Sequence, residues 1–314
     1  MKLKLVLISA IASASIGSVI ASDDLETLAA KGVTQLASNS DVTSSLKNTL
    51  SNKVDDTVKA KVQEWLPNAE ISIEGVSNGK PTIGILTVNP LYESEDLKDT
   101  IFNQASFYNN DDRQTLNLGL GYRRMTDDES WLLGVNAFYD HEFPYDHQRG
   151  SVGLEDRSSV IEFNANKYYG ISGWKTGESS LDEKALGGHD VEMGLALPYM
   201  PGSKLYHKQF TWNAENGVAD LKGKTTSLAI NGDVLIPGMG LEVGATDYET
   251  RSDVDFVKLT FKYPPPTKTN KLFSNVAYEF SSMKDERLNK VRRVNKIVIQ
   301  KKSASGGTNT VSFR

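Results

Sequence analysis

The amino-acid sequence predicts an all-β membrane protein, a twelve-stranded antiparallel β-barrel of the outer-membrane type with a helical segment before it. Six stretches alternate apolar and polar residues with a period of two, which is typical of strands with one apolar face; they are 116–122, 131–139, 161–165, 191–197, 241–245 and 257–263. The connections between candidate strands also alternate between short and long, which favours a barrel whose two ends face different compartments.

Residues 1–21 are predicted to be a secretory signal peptide. Lys2 and Lys4 precede an apolar run over 5–17, and Val19 and Ala21 suit a cleavage site after Ala21. An uncleaved membrane helix is the alternative, but the run is short and Ser-rich against the roughly 20 apolar residues of a span. The chain has no cysteine. An exported protein of this kind therefore depends on a large core or a closed sheet rather than on disulfides.

Residues 22–67 are predicted to form a periplasmic helical segment. Asp41 suits an N-cap and Pro67 ends the run. Between them apolar residues fall every four positions, at Val42, Leu46, Leu50, Val54, Val58 and Val62. We interpret this stripe as a packing face, against the barrel mouth or another copy, rather than as a binding site.

Residues 68–263 are predicted to form the barrel. The span 69–263 holds 195 residues, about 16 per strand and connection, which suits strands of ~9–11 residues plus a turn. Twelve candidate strands are centred on Ile71, Ile85, Ser106, Leu118, Val135, Val152, Phe163, Leu195, Phe210, Ile230, Val243 and Leu259.

A soluble sandwich is the alternative, and the mean hydropathy of -0.39 fits both architectures because half of a barrel lines a polar lumen. The connections favour the barrel. The predicted inner turns 126–129, 156–158, 199–202 and 236–239 are short, whereas the outer connections 170–190 and 213–224 are the longest. The inner turn at 89–99 is the exception to this parity.

The alternation also assigns the two faces of the wall. Slipping a strand by one residue would move its charges into hydrocarbon, at ~2–4 kcal/mol for a midplane Lys or Arg. We expect lipid contact for Leu118, Leu120, Val135, Phe163, Leu195, Val243, Leu259 and Phe261. The lumen is expected to hold Asn117, Asn136, Glu162, Asn164, Glu192, Glu242 and Lys258.

Several motifs in order resemble those of one family. They are DDRQTLNLGLGYR at 111–123, NAFYDH at 136–141, ANKYY at 165–169, SGWK at 172–175, GHD at 188–190, LPY at 197–199, PG at 201–202 and RVNKIV at 293–298. Together they resemble the translocator domain of the intimin and invasin family, the inverse autotransporters, over roughly residues 60 to 302.

The resemblance implies a twelve-stranded outer-membrane barrel with a periplasmic N-terminus and an extracellular C-terminus. It also implies a linker, over 264–302, that threads the pore and delivers a passenger of immunoglobulin-like and lectin-like domains to the cell surface. The sequence departs from that pattern, since the short tail 303–314 is too small to bury a core and the N-terminal region lacks room for a LysM module. We therefore expect a translocator that exports its own C-terminus without a folded passenger.

The distribution of charge predicts where the linker lies. Residues 264–314 hold 11 Lys or Arg and 3 Asp or Glu, a net +8, so the other 263 residues carry -13 of the total -5. Buried ions need partners. We therefore expect the pair Arg292 and Arg293 to lie in the lumen beside inward carboxylates such as Asp140, Glu162, Glu192 or Glu242. A flexible basic tail outside the cell is the alternative.

Two groups of residues could form a site, one for a metal ion and one for catalysis. The run 140–147 holds Asp140, His141, Glu142, Asp146 and His147, a set of donors that could bind a divalent metal, but a solvated outer hairpin is the simpler interpretation. A barrel enzyme would need a base tied to a nucleophile. Candidate bases are His189, near the end of a loop, and His207, assigned to the lumen side of its strand, and nothing ties either to a serine. Neither a metal, a cofactor nor a reaction is expected.

The expected partners are outer-membrane lipid and lipopolysaccharide, the barrel-assembly machinery and periplasmic chaperones. No nucleic-acid partner is expected behind a signal peptide, despite the basic tail. The alternative function is a stand-alone adhesin or binding barrel, whose outer loop at 170–190 would contact a host surface ligand or a separately encoded passenger.

Overall fold

The computed structural model describes residues 68–76, 81–231, 237–266, 273–302 and 310–313. These residues form a closed antiparallel barrel of twelve strands and a small sheet of four strands. The predicted signal peptide, 1–21, and the predicted helical segment, 22–67, lie outside the described residues. No helix in the described ranges is both long enough and apolar enough to span a membrane.

The barrel strands follow one another around the wall, and β14 pairs with β1 to close it. They are β1 (Ala69–Val76), β2 (Thr82–Glu93), β3 (Asp99–Asn110), β4 (Arg113–Met125), β5 (Trp131–Phe143), β6 (His147–Ser158), β7 (Ile161–Gly170), β10 (Gly188–Leu197), β11 (Met200–Trp212), β12 (Leu221–Asn231), β13 (Met239–Tyr248) and β14 (Val254–Tyr263). Each of the twelve predicted strand centres falls within a different one of these strands, so the predicted barrel is confirmed.

The small sheet has the order β16, β15, β9, β8. Its strands are β8 (Lys175–Thr176) and β9 (Asp182–Ala185), from the connection between β7 and β10, and β15 (Val298–Lys302) and β16 (Thr310–Phe313), from beyond the barrel. Ile299 lies opposite Ala185 in an antiparallel register, and both are buried. The longest predicted outer loop therefore pairs with the segment that follows the barrel.

The predicted assignment of faces is confirmed by burial and register. Along β5 buried residues alternate with exposed ones, as the pleat requires. Asn117 lies opposite Asp140 and Leu118 opposite Tyr139, so each pair shares a face. Leu259 belongs to the outward face by its register with Leu241, although it is buried.

The barrel has a short-turn end and a long-loop end. The short-turn end carries the connections 94–98, 126–130, 159–160 and 198–199, whereas 171–187 and 213–220 lie at the long-loop end. The predicted long turn at 89–99 is wrong. β2 continues to Glu93, because its pairing with β3 resumes after an irregularity between Pro90 and Tyr92, where proline has no N–H to give to the ladder.

Candidate functional site

The chain beyond β14 first follows the rim of the short-turn end; we call residues 273–286 the rim segment. The N–H of Ser274 donates to the carbonyl of Tyr199, at 2.9 Å, and the hydroxyl of Ser159 donates to the carbonyl of Glu279, at 3.0 Å. The N–H of Met283 donates to the carbonyl of Glu129, at 2.9 Å. The rim segment thus contacts three successive strand-linking turns.

The turn between β4 and β5 supplies the most polar of these contacts. The Glu129 carboxylate accepts from the Ser282 hydroxyl, at 2.8 Å, and lies 2.5 Å from the Lys284 ammonium. The hydrogen bond from Lys284, followed by that from Ser282, lowers the pKa of Glu129. In the same turn, hydrogen bonds from Thr126 and Ser130 hold the pKa of Asp128 at about 2.

Residues 287–297, which we call the lumen segment, then run through the barrel from its short-turn end to its long-loop end. Four of its cations meet wall carboxylates at successive depths. Lys290 pairs with Glu70, Arg292 with Glu192 and Glu242, Arg293 with Asp140, and Lys296 with Glu74. Because each buried charge has a partner of opposite sign, the charged segment can occupy the lumen without isolated ions.

Among the cations of the lumen segment, Arg293 has the most buried side chain. Its Nη1 and Nη2 donate to the two carboxylate oxygens of Asp140, at 2.9 and 2.7 Å, and both side chains are fully buried. Asp140 also accepts from the Nε of Arg149, at 2.8 Å. The Arg293 guanidinium lies 4.2 Å from the ring centroid of Phe138. A cross-strand pair with Gly119 makes room for that ring, since a Cβ at Gly119 would lie 2.2 Å from it.

Arg292 occupies a second seat of the same construction. Its guanidinium contacts Glu192, reaches Glu242 at 3.1 Å, and lies 3.6 Å from the ring centroid of Tyr206. Tyr206 pairs across strands with Gly194, where a Cβ would lie 2.4 Å from its ring. A glycine, an aromatic ring and an acidic partner therefore define each arginine seat, combining a cation–π contact with an ion pair.

Of the carboxylates that the sequence suggested, Glu162 lies elsewhere. Its carboxylate accepts from Lys204, at 2.6 Å, and lies 3.6 Å from Arg157. Both are wall residues, and Arg157 is directly opposite Glu162 in the register of β6 and β7. Its ion pairs are therefore made within the wall rather than with the lumen segment.

The long-loop end is closed by contacts between the small sheet and the wall. Glu183 of β9 accepts from Arg113, at 2.8 and 2.7 Å, and lies 3.0 Å from Lys301 of β15. Burial opposes the ionisation of Glu183, but hydrogen bonds from His147, Arg113 and Lys301 outweigh it and hold its pKa at about 2. This carboxylate joins the wall, the loop and the chain leaving the lumen.

The sequence of this chain also matches a known protein family. The model of the family described as the inverse autotransporter β-domain matches residues 26–295. The chain belongs to the inverse autotransporter family. The match spans both the closed wall and most of the lumen segment, so the barrel described above is the β-domain of this family and an outer-membrane barrel.

Several curated relatives are similar to this inverse autotransporter over part of their length. A putative attaching and effacing protein homolog of Escherichia coli K12 is 29% identical over 49% of this chain and 55% of its own. Invasin of Yersinia enterocolitica is 28% identical over 54% of this chain and 21% of its own. The inverse autotransporter adhesin YeeJ of Escherichia coli K12 is 29% identical over 39% of this chain and 5% of its own. The alignments thus cover about half or less of each relative.

A solved structure from work on the in-meso crystallization of membrane proteins has the same fold. It superposes with a TM-score of 0.62 at 22% identity, over 75% of this chain and 99% of its own. At that identity the likeness concerns the fold alone.

The candidate metal ligands of the run 140–147 lie on different sides of the wall of the inverse autotransporter β-domain. Asp140, Glu142 and His147 are buried in ion pairs on the lumen side, whereas His141 lies outside them, 3.1 Å from Asp146. The assignment of His207 to the lumen is wrong. Its strand turns Tyr206 inward, so His207 faces outward and its Nδ1 lies 3.0 Å from the hydroxyl of Thr226.

Sequence reasoning missed two wall arginines that contact the lumen segment, Arg123 and Arg149. Both are fully buried. A signal was present in each case, because they occupy the inward positions of strands whose alternation is clear. An inward cation is expected to repel a basic linker unless it has an acidic partner. Those partners come from other strands: Glu155 lies on β6, two strands from Arg123, and Asp140 lies on β5, next to the strand of Arg149.

Proposed function

We propose that this inverse autotransporter barrel exports its own C-terminal segment and then retains the lumen segment as a plug. In this proposal the short-turn end faces the periplasm, where the chain before β1 lies, and the long-loop end faces the cell exterior. The proposal assigns no reaction and no cofactor to the barrel.

One observation carries the proposal: the chain passes through the lumen in a single direction. β14 ends at Tyr263, opposite Ala69 at the short-turn end. Lys290 then pairs with Glu70, and Lys301 pairs with Glu183 beyond the other end. A segment that runs from one mouth to the other supports passage of the C-terminus outward through the pore.

The charge pattern of the lumen supports retention of the segment after passage. Without the segment, Asp140 would keep only Arg149, and Glu192 and Glu242 would lose the arginine that they share. Because charge-assisted hydrogen bonds between arginine and carboxylate are strong, the occupied state should be more stable than the empty barrel. We expect insertion by the barrel-assembly machinery with periplasmic chaperones, into a membrane with lipopolysaccharide in its outer leaflet.

The test is the exposure of tags at the two ends of the chain in intact cells. A cysteine-free epitope is placed after Arg314 in one strain and after Asp24, downstream of the predicted signal cleavage, in another. The proposal predicts labelling of the C-terminal tag in intact cells and of the N-terminal tag only after the outer membrane is permeabilised. A protected C-terminal tag on a folded barrel, shown by heat-modifiable migration, would refute self-export.

A further inference from the structure

The lumen wall contacts the main chain of the lumen segment mainly through its carbonyl groups. Side chains of the wall donate to seven carbonyls between residues 287 and 296, those of Arg287, Asn289, Lys290, Arg292, Val294, Asn295 and Lys296. Two N–H groups of the segment donate to the wall, those of Val291 and Val294. The irregular segment thus has its carbonyls satisfied by side chains rather than by a sheet.

Two arginines make four of the seven carbonyl contacts, and each binds two carbonyls. Nη1 of Arg123 donates to the carbonyls of Arg287, at 2.6 Å, and Asn289, at 2.7 Å. Arg149 donates to the carbonyls of Val294, at 2.7 Å, and Lys296, at 3.0 Å. Each arginine therefore contacts the carbonyls of residues i and i+2, and the pair bound by Arg123 lies in a turn that the N–H of Asn289 closes on the carbonyl of Glu286.

Both guanidinium groups are held in place by side chains of the wall. Arg123 donates to Glu155, at 2.7 Å, and lies 4.2 Å from the ring centroid of Phe102. Gly121 makes room for that ring. Arg149 donates to Asp140 and lies 4.7 Å from the ring centroid of Tyr168. A fixed planar fork loses little freedom when it binds two acceptors.

We propose that Arg123 and Arg149 are carbonyl clamps, which bind a polypeptide main chain in the lumen through the carbonyls of residues i and i+2. This inference rests on the proposed function, since it names the class of substrate that the exporting pore accepts. Every residue, including proline, carries a carbonyl, whereas proline lacks an N–H. A wall that contacts carbonyls therefore accepts a passing chain whatever its side chains are.

The test compares conservative changes on the two sides of the contact, in the full-length chain. Arg123→Lys and Arg149→Lys keep the positive charge beside Glu155 and Asp140 but lose the guanidinium that bonds to a carboxylate and to two carbonyls at once. Asn289→Ala, Asn289→Ser and Asn289→Thr remove the side-chain amide of Asn289 but keep its bound carbonyl. The open probability of single pores in planar bilayers is measured for each, after heat-modifiable migration has shown that the barrel is folded.

The clamps predict a rise in open probability of about tenfold or more for each arginine variant, the change that corresponds to ~1.4 kcal/mol. The three linker variants should stay within about twofold to threefold of the unchanged protein, since bonds of exposed or partly exposed pairs contribute little. Asn166→Ala, which removes the donor to one carbonyl, should give an intermediate rise and remains informative if an arginine variant does not fold.

Two results would overturn the inference. Arginine variants with the open probability of the unchanged protein would show that the charge, not the fork, is what matters. Linker variants that open the pore as much as the arginine variants would show that side chains hold the segment. The C-terminal tag is assayed in the same strains, so that a failure of the clamps with a labelled tag is distinguished from a failure of self-export, in which the tag is protected in the unchanged protein.

Discussion

The rim segment and the lumen segment have similar local structure but differ in what holds them. Both are largely irregular, and a short 3-10 turn at Lys284–Glu286 is the helical element within them. The rim segment is held by contacts with turn residues and leaves Phe273, Val276, Tyr278 and Phe280 exposed. The lumen segment is held by buried ion pairs and wall donors. An irregular chain is therefore fixed where a surrounding wall supplies partners for its charges and carbonyls.

The largest expected effect comes from reversing the lumen charges. Arg292→Glu with Arg293→Glu places two carboxylates beside Asp140, Glu192 and Glu242, so the lumen segment should leave its seats. The intact chain should conduct poorly in planar bilayers, whereas this variant and a chain lacking residues 268–314 should conduct as open pores.

A rim variant sharpens that comparison. Lys284→Glu reverses the charge that meets Glu129 at the exposed rim, and it should leave the pore closed because the lumen contacts are intact. Equal conductance of the unchanged protein, the lumen variant and the deletion would place the segment outside the pore and contradict the plug.

The second effect is the loss of the carboxylate that two arginines share. Asp140→Asn leaves Arg149 and Arg293 buried without their counter-charge, which should cost about 3–5 kcal/mol. The matched control is Asp99→Asn. Asp99 lies 3.2 Å from the exposed Arg124, and the loss of that pair should cost ~0–1 kcal/mol. The measurement is the temperature at which heat-modifiable migration is lost. Similar losses for the two variants would contradict the difference between buried and rim pairs.

The third effect concerns the room that glycine leaves for an aromatic seat. Gly119→Ala puts a methyl 2.2 Å from Phe138, so the ring and the Arg293 above it must move, at about 1–3 kcal/mol. Gly150→Ala is the control on β6, two strands from Gly119, because the nearest side-chain atom to its added methyl would lie at 3.6 Å, an ordinary contact. Thermal unfolding of the two variants is compared, and an equal change in both would mean that the seat does not depend on Gly119.

The smallest effect is the pH dependence of the rim segment. The pKa of Glu129 is lowered by its hydrogen bond from Lys284. The Glu129–Lys284 pair therefore stabilises the rim segment fully above the ordinary pKa of a glutamate, about 4.3. This stabilisation is lost as the pH falls through the lower pKa that Glu129 has in the folded protein. Proteolysis of the rim segment by an acid-active protease should increase over that range, and Glu129→Gln should be cut similarly at all pH values. A pH-independent rate in the unchanged protein would show that the pair does not hold the rim.

Sequence patterns predicted the wall better than its contents. The strand centres, the two faces and the even strand number follow from a period of two, which is a local property of the chain. The turn before Asp99 was predicted too long, because Pro90 interrupts the pattern while the pairing continues beyond it. The charge split placed Arg292 and Arg293 among inward carboxylates, but it could not distinguish Glu162, whose cross-strand neighbour Arg157 already supplies a partner.

The sequence by itself determined which residues can face lipid and which can face a polar interior, because apolar and polar residues alternate along each strand. Only the tertiary structure decided which charges meet. Asp140 lies on β5, Glu192 on β10 and Glu242 on β13, and the stagger of the closed barrel sets the depth of each carboxylate in the lumen. The contacts of Arg123 and Arg149 with carbonyls depend on the same closure. Every residue has a main-chain carbonyl, so the residue types of the linker do not predict which carbonyls the wall arginines contact.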